Sequence, residues 1–380
     1  MKKIQMVDLK SQYDKIKPEI NEAIQQVLDS TAFIRGEALS RFAQNLEKYL
    51  GVKHVIPVGN GTDALQIALM ALGLKPGDEV ITPTFTFIAT SEVVALLGLT
   101  PIVVDVDFDT FNISVENIKK AITPRTKAIV PVHLFGQCAE MEEILKIAHQ
   151  HNLFVIEDAC QSMGAQYVFS NGDKVHSGTM GEIGCTSFFP SKNLGCFGDG
   201  GALFTNDDLL AEKIRKIANH GMETRYYHDI VGINSRLDTI QAAILDVKLK
   251  YLDKYIVARQ KAADFYDNAF KNNPKIIIPK RNPNTMHAFH QYTIKLQEVN
   301  RDELQKKLAE LQIPAMIYYP VPLHLQKAYK NERYQSGNFP VAEQLCQCVI
   351  SLPMHTELDE EQLNFISENI NQILNYNNSR

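Results

Sequence analysis

The chain has 380 residues, 45% of them hydrophobic, with 39 Lys and Arg against 44 Asp and Glu for a formal net charge of −5. That apolar share excludes a mainly disordered chain, and the mild acidity excludes a surface built to coat nucleic acid, which needs clustered positive charge. At about 150 residues per domain the length suggests two or three domains.

In chain order, short runs at 54–58, 79–82, 102–105, 128–132, 154–157 and 202–205 read as strands. Several are rich in Val and Ile, as strands buried on both faces are. Between them 62–72, 91–97, 141–151 and 208–219 read as helices. This alternation predicts an α/β fold with a mostly parallel sheet, whose ligands sit at the carboxyl ends of strands. Segment 167–177 looks extended, with Asn171-Gly172-Asp173 as a hairpin turn. Residues 241–270 read as one long helix, and beyond it shorter units are interrupted by Pro274, Pro279, Pro283, Pro314, Pro320 and Pro322. A large domain over 1–245 and a smaller α+β domain over 246–380, opening with that helix, are therefore expected. The tail at 357–375 is a further amphipathic helix.

A membrane helix needs about 20 apolar residues in a row, and the longest run, 93–104, is cut by Gly98, Thr100 and Pro101. Lys2 and Lys3 have no apolar segment behind them, so no signal peptide, no membrane partner and a cytoplasmic location are expected. Of six cysteines only Cys346 and Cys348 stand close, which is a poor zinc site without a second pair. No metal is expected; thiols in a reducing compartment are the preferred reading.

Four segments carry candidate chemistry. In Val58-Gly59-Asn60-Gly61-Thr62-Asp63 a strand ends in a tight turn and a helix begins. Gly61 permits close approach of a ligand, Thr62 offers an N-cap hydroxyl, and free amides at a helix start suit a phosphate. An ordinary strand-to-helix turn would look the same. In Glu157-Asp158-Ala159-Cys160-Gln161 a buried strand delivers Asp158 to its end, where a carboxylate can pair with a cationic ring nitrogen and Gln161 can donate to a phenolate oxygen. Asp158 could equally cap a following helix. In Ser187-Phe188-Phe189-Pro190-Ser191-Lys192 a lysine sits between apolar and Gly-rich stretches, where desolvation prepares an amine for Schiff-base chemistry. In Asn234-Ser235-Arg236-Leu237-Asp238 an amide and a guanidinium precede the long helix, and arginine suits carboxylate or phosphate. Together with Phe87, a candidate aromatic plate, these are the parts of a pyridoxal phosphate site.

With these motifs the chain resembles the DegT/DnrJ/StrS family of sugar aminotransferases, over essentially its whole length from Asp8 to Met354. The resemblance implies the fold type I architecture of aspartate aminotransferase. It points to the members that aminate C3 of UDP-2-acetamido-2-deoxy-3-oxo-glucuronic acid for surface polysaccharide biosynthesis; aminotransferases for other UDP- or dTDP-linked keto-sugars are the alternative. It implies pyridoxal 5′-phosphate as cofactor, held as a Schiff base by Lys192, with Asp158 on the ring nitrogen, Gln161 on the ring oxygen and Phe87 on the ring face. Gly61, Thr62 and Ser187 would hold the phosphate, joined by Asn234 from the other subunit of a homodimer. Arg236 and Tyr318 would meet the substrate, and glutamate would be the amino donor. Many members read His-Tyr-Pro-x-Pro where this chain reads Tyr318-Tyr319-Pro320-Val321-Pro322. A sugar dehydratase on the same scaffold replaces the lysine with histidine, which Lys192 argues against. A non-catalytic regulator that binds the cofactor would have no use for the lysine and acid together.

Overall fold

The computed structural model describes residues 3–329 and 333–376. Two helices, α1 (Leu9–Ser30) and α2 (Glu37–Leu50), precede β1 (His54–Val58). Both lie ahead of the first element read from the sequence pattern. There follow α3 (Gly61–Ala71), β2 (Glu79–Pro83), α4 (Ala89–Leu96), β3 (Thr100–Val104), α5 (Val115–Ala121), β4 (Thr126–Ile129), α6 (Met141–His151) and β5 (Phe154–Asp158). A hairpin, β6 (Gln166–Val168) and β7 (Lys174–His176), leads to β8 (Ile183–Ser187), β9 (Gly201–Thr205) and α7 (Asp208–Ile217). The hairpin turns where Gly172 takes φ +91°, as the Asn-Gly-Asp signal predicts.

The main sheet has seven strands in the order β1-β9-β8-β5-β4-β2-β3. From β8 to β3 every neighbour is parallel, and β9 runs antiparallel to both β8 and β1. Alternation along each strand supplies both faces: Ile81, Ile129 and Val155 enter one buried cluster, while Val80, Ala128 and Ile156 enter the other. Helices cover both faces, so the central strands are largely buried and strand ends are the places where polar side chains can gather.

β8 has no counterpart in the strands read from sequence, because Ile183-Gly184-Cys185-Thr186-Ser187 is mostly small residues. The packing explains this composition: a Cβ on Gly184 would stand 1.8 Å from the carbonyl oxygen of Gly178. The long helix expected over 241–270 is two helices, α8 (Thr239–Leu249) and α9 (Leu252–Phe270). At the break Lys250 and Tyr251 bond back only three residues, to Val247 and Lys248.

The C-terminal part contains β10 (Ile276–Ile277), β11 (Thr285–Met286), β12 (Tyr292–Leu296), α10 (Arg301–Glu310), α11 (Pro340–Cys348), β13 (Val349–Leu352) and α12 (Glu360–Tyr376). Strands β10, β12 and β13 form an antiparallel sheet, and β11 pairs with β6. Its core holds Tyr266, Phe270, Ile294, Leu352 and Ile366 and draws in Ile4 from the N-terminus. Among the described residues no helix is long and apolar enough to cross a membrane.

Candidate active site

A cavity of about 840 Å³ opens at the carboxyl ends of β2, β5 and β8, as the parallel topology requires. Gly61, Thr62, Phe87, Asp158, Gln161, Ser187, Lys192 and Tyr318 all line it. Eight of the ten residues proposed from sequence thus meet in one place, although they come from five separate stretches of chain.

The start of α3 forms one wall. Asn60, and not Thr62, is its cap: the Asn60 side chain accepts from the Asp63 amide at 2.8 Å. Thr62 is left in the cavity lining. A Cβ on Gly61 would lie 2.8 Å from Ser187 Cβ and 2.9 Å from Cys160 Sγ, and one on Gly201 would lie 2.4 Å from the Asn60 carbonyl carbon. Only glycine at both positions lets the first turn of α3 sit against the ends of β8 and β9. The result is a concave cradle of backbone amides and hydroxyls, which suits a phosphate.

Asp158 ends β5 and is buried. No helix follows; residues 160–164 form a turn, so its role as a helix cap does not hold. Its Oδ2 accepts from Thr90 Oγ1 at 2.8 Å and its Oδ1 from the Cys160 amide at 3.2 Å. Its backbone is held by the amide of His133 and the carbonyl of Pro131, at 3.0 and 2.9 Å. Gln161 accepts from the Phe135 amide at 2.9 Å, and this orients its Nε2 to donate to the Tyr319 hydroxyl at 3.0 Å. Lys192 lies on the loop after β8, and burial lowers its pKa while Cys160 and Asp158 act against that. A neutral amine is thereby made more accessible, which is what a nucleophilic lysine needs. Phe87 stands at the rim, 56% exposed, with its ring 6.4 Å from that of Tyr319.

Two expected residues do not reach this cavity within one chain. Asn234 pairs with Asn219, and Arg236 lines a second cavity with Arg35, Arg215 and Lys216. Ser235 between them donates to Asp63 Oδ2 at 2.6 Å and accepts from the Gly59 amide at 2.9 Å, tying their segment to the outer side of α3. Residues that sequence reasoning missed are Tyr319, His290 and Gln291, all in the lining. Tyr319 had a signal, since it adjoins Tyr318 in the proline motif; His290 and Gln291 had none. Among the described residues no cluster of His, Cys, Asp and Glu could hold a metal ion.

Residues 14–371 match the DegT/DnrJ/EryC1/StrS aminotransferase family. The chain is 47% identical over 369 residues to a pleiotropic regulatory protein of Geobacillus stearothermophilus, covering 97% of each. It is 47% identical over 363 residues to the UDP-2-acetamido-2-deoxy-3-oxo-D-glucuronate aminotransferase of Pseudomonas aeruginosa, covering 96% of this chain and 98% of that one. Among solved structures, an aminotransferase from Brucella abortus superposes with TM-score 0.92 at 42% identity, over 99% of this chain and 100% of that one. The Bacillus subtilis protein NtdA, solved with the cofactor PMP bound, superposes with TM-score 0.87 at 33% identity, over 97% of this chain and 83% of that one.

Proposed function

Because the chain belongs to the DegT/DnrJ/EryC1/StrS aminotransferase family, we propose that it moves an amino group from glutamate to C3 of a UDP-linked 3-oxo sugar, UDP-2-acetamido-2-deoxy-3-oxo-glucuronate in the first instance. The observation that carries this reading is the single cavity into which Lys192 and Asp158 both open, beside the cradle at Gly61. The likeness to the Pseudomonas aeruginosa enzyme supports the choice of sugar.

The residues present fit pyridoxal phosphate. The α3 amides with Thr62 and Ser187 would hold its phosphate, Asp158 its ring nitrogen, Gln161 its ring oxygen, Phe87 one ring face and Lys192 its carbonyl carbon. When bound, the cofactor supplies an electron sink for the carbon that loses its proton. Asp158 would keep a proton on the ring nitrogen, and the Thr90 hydroxyl, which donates to its Oδ2, holds that carboxylate in place at the cavity wall. Lys192 Nζ would carry the proton from the donor's carbon to the cofactor's reacting carbon in the first half of the reaction, and from that carbon to the sugar carbon in the second. Tyr318 meets the sugar at the rim.

A homodimer with shared sites belongs to the same proposal. Asn234 would reach a second copy's phosphate cradle, and Arg236 its substrate. So do the division into 1–245 and 246–380, supported by a separate C-terminal core, and a cytoplasmic setting, supported by six free cysteines. A regulator without turnover is not favoured, because both the amine and the carboxylate are in the cavity.

The test is spectroscopic. Protein loaded with pyridoxal phosphate should be yellow, and glutamate should bleach that band. Lys192→Ala should lack the band and lose turnover by about a thousandfold or more. Wild-type protein that stays colourless with the cofactor would overturn the reading, and mass analysis of a panel of UDP- and dTDP-linked keto-sugars would identify the acceptor.

A further inference from the structure

His290 stands in the cavity wall, 5% exposed, just before β12. It is fixed from its backbone. The Gln291 amide donates to the Phe135 carbonyl at 3.3 Å, and Gly136 packs so closely that a Cβ there would lie 2.8 Å from the His290 amide nitrogen. Its Nδ1 is buried with no hydrogen-bond partner among the described residues. Immediately behind it lies Arg259, 2% exposed.

Arg259 is an uncommon kind of buried cation. Its Nη1 donates to the carbonyls of Phe289, His290 and Met354 at 3.1, 3.3 and 3.0 Å. Among the described residues no carboxylate lies within 4.0 Å of it, and its Nε has no partner. A buried charge without a counter-ion is costly, and here the uncompensated charge raises the potential of one cavity wall. The tautomer of His290 follows from its own surroundings: an N–H at Nδ1 would be buried with nothing to donate to, so the ring proton belongs on Nε2. Burial, with Lys192 and Arg259 nearby, keeps the imidazole from taking a second proton.

The geometry points to His290 as a substrate-binding residue that offers a neutral Nε2–H, backed by the Arg259 cation, to a carboxylate oxygen of the bound substrate. This rests on the aminotransferase reading above and deepens it. Both the amino donor and a uronic acid sugar carry such a carboxylate. The shared chemistry is therefore what the wall recognises.

The experiment measures binding apart from turnover. Glutarate, a dicarboxylate with no amine to give, is titrated calorimetrically into cofactor-loaded protein, alongside UDP-glucuronate and UDP-glucose. His290→Phe should weaken glutarate, UDP-glucuronate or both by about tenfold or more, leave UDP-glucose unchanged, and be rescued by His290→Gln, whose amide reaches the Nε2 position. Loss of glutarate alone assigns the donor to the amino acid, and loss of UDP-glucuronate alone assigns it to the sugar. If His290→Phe does not fold, His290→Asn, which withdraws the donor from that position, is read instead. Unchanged affinities, or an equal loss for UDP-glucose, overturn the proposal. Failure of the aminotransferase reading shows separately, as no bleaching of the wild-type band by glutamate.

Discussion

Asp158 is held in position by the residue before it, whose carboxylate is bonded on both oxygens. Glu157 is fully buried, and its carboxylate accepts from the amides of Gly178, Met180 and Gly181 at 2.8, 2.6 and 2.7 Å and from His133 Nε2 at 2.8 Å. His133 Nδ1 accepts from the Ala139 amide at 3.1 Å, which places its proton on the Nε2 that faces Glu157. Two loops, 177–182 and 130–140, thus converge on one side chain at the end of β5. Glu157→Gln turns an N–H₂ toward a ring of donors, so it should lower unfolding free energy by about 3 kcal/mol. Urea unfolding of the cofactor-free protein measures this, and a loss under about 1 kcal/mol would mean the network does not hold the strand end. At this scale the sequence revealed what local order can reveal. Asp158 ends a strand and Gly61 and Lys192 come soon after one, and strand ends are where sheet ligands sit. The partners that fix Asp158, namely Thr90 and His133, are brought in by tertiary contact and carry no local mark.

Elements were legible where their period was strong. The expected strand at 54–58 and helix at 141–151 agree with β1 and α6 to the residue. β8 was hidden because packing against Gly178 demands small residues where β-formers are usual. The split between α8 and α9 was hidden because the apolar spacing continues across it. Helix α11 has a feature no local reading supplies: its N-terminus has no side-chain cap of its own. Asp105, at the end of β3, accepts from the amides of Val341 and Ala342 at 3.0 and 2.8 Å and so caps it from across the molecule. Nearby, Thr84 Oγ1 meets His324 Nδ1 at 2.9 Å, and His324 Nε2 meets Glu343 on α11 at 3.0 Å. These contacts pin the segment that carries Tyr318 and Tyr319 over the cavity. Asp105→Ala should therefore cost about 1–2 kcal/mol of stability. It should also raise KM for the sugar more than it lowers the rate of the glutamate half-reaction. Equal changes in both half-reactions would show that the cap supports the fold without placing the tyrosines.

For the whole molecule, the buried histidines predict that the join between the main sheet and the C-terminal part loses stability in acid. His287, His290 and His355 are buried there. Burial, with Arg281 beside it, lowers the pKa of His287 from 6.5 to about 3, and burial with Arg259 lowers that of His355 to about 4. His290 is likewise pushed well below its ordinary value by burial, with Lys192 and Arg259 adding to it. In the unfolded chain each imidazole takes a proton below about pH 6.5. Between that value and the folded pKa the unfolded state binds more protons, so stability rises with pH across the window and falls as the solution is acidified. The contribution is fully present above pH 6.5 and has drained away by about pH 4 for His355. Glu79 and Glu343, whose pKa values lie below the usual 4.5, lose their contributions in the same direction but below that value. The two windows can therefore be told apart. His355→Asn keeps an oxygen where His355 Nδ1 accepts from the Glu357 amide at 3.2 Å and removes the titrating ring. Urea unfolding at pH 7, 6, 5 and 4 should show wild-type stability falling between pH 6.5 and 4 and the variant falling less steeply, by a few kcal/mol in total. Parallel curves that both fall across that window would place the acid sensitivity in His287 and His290 and not in His355, while curves flat down to about pH 4.5 would place it in the carboxylates.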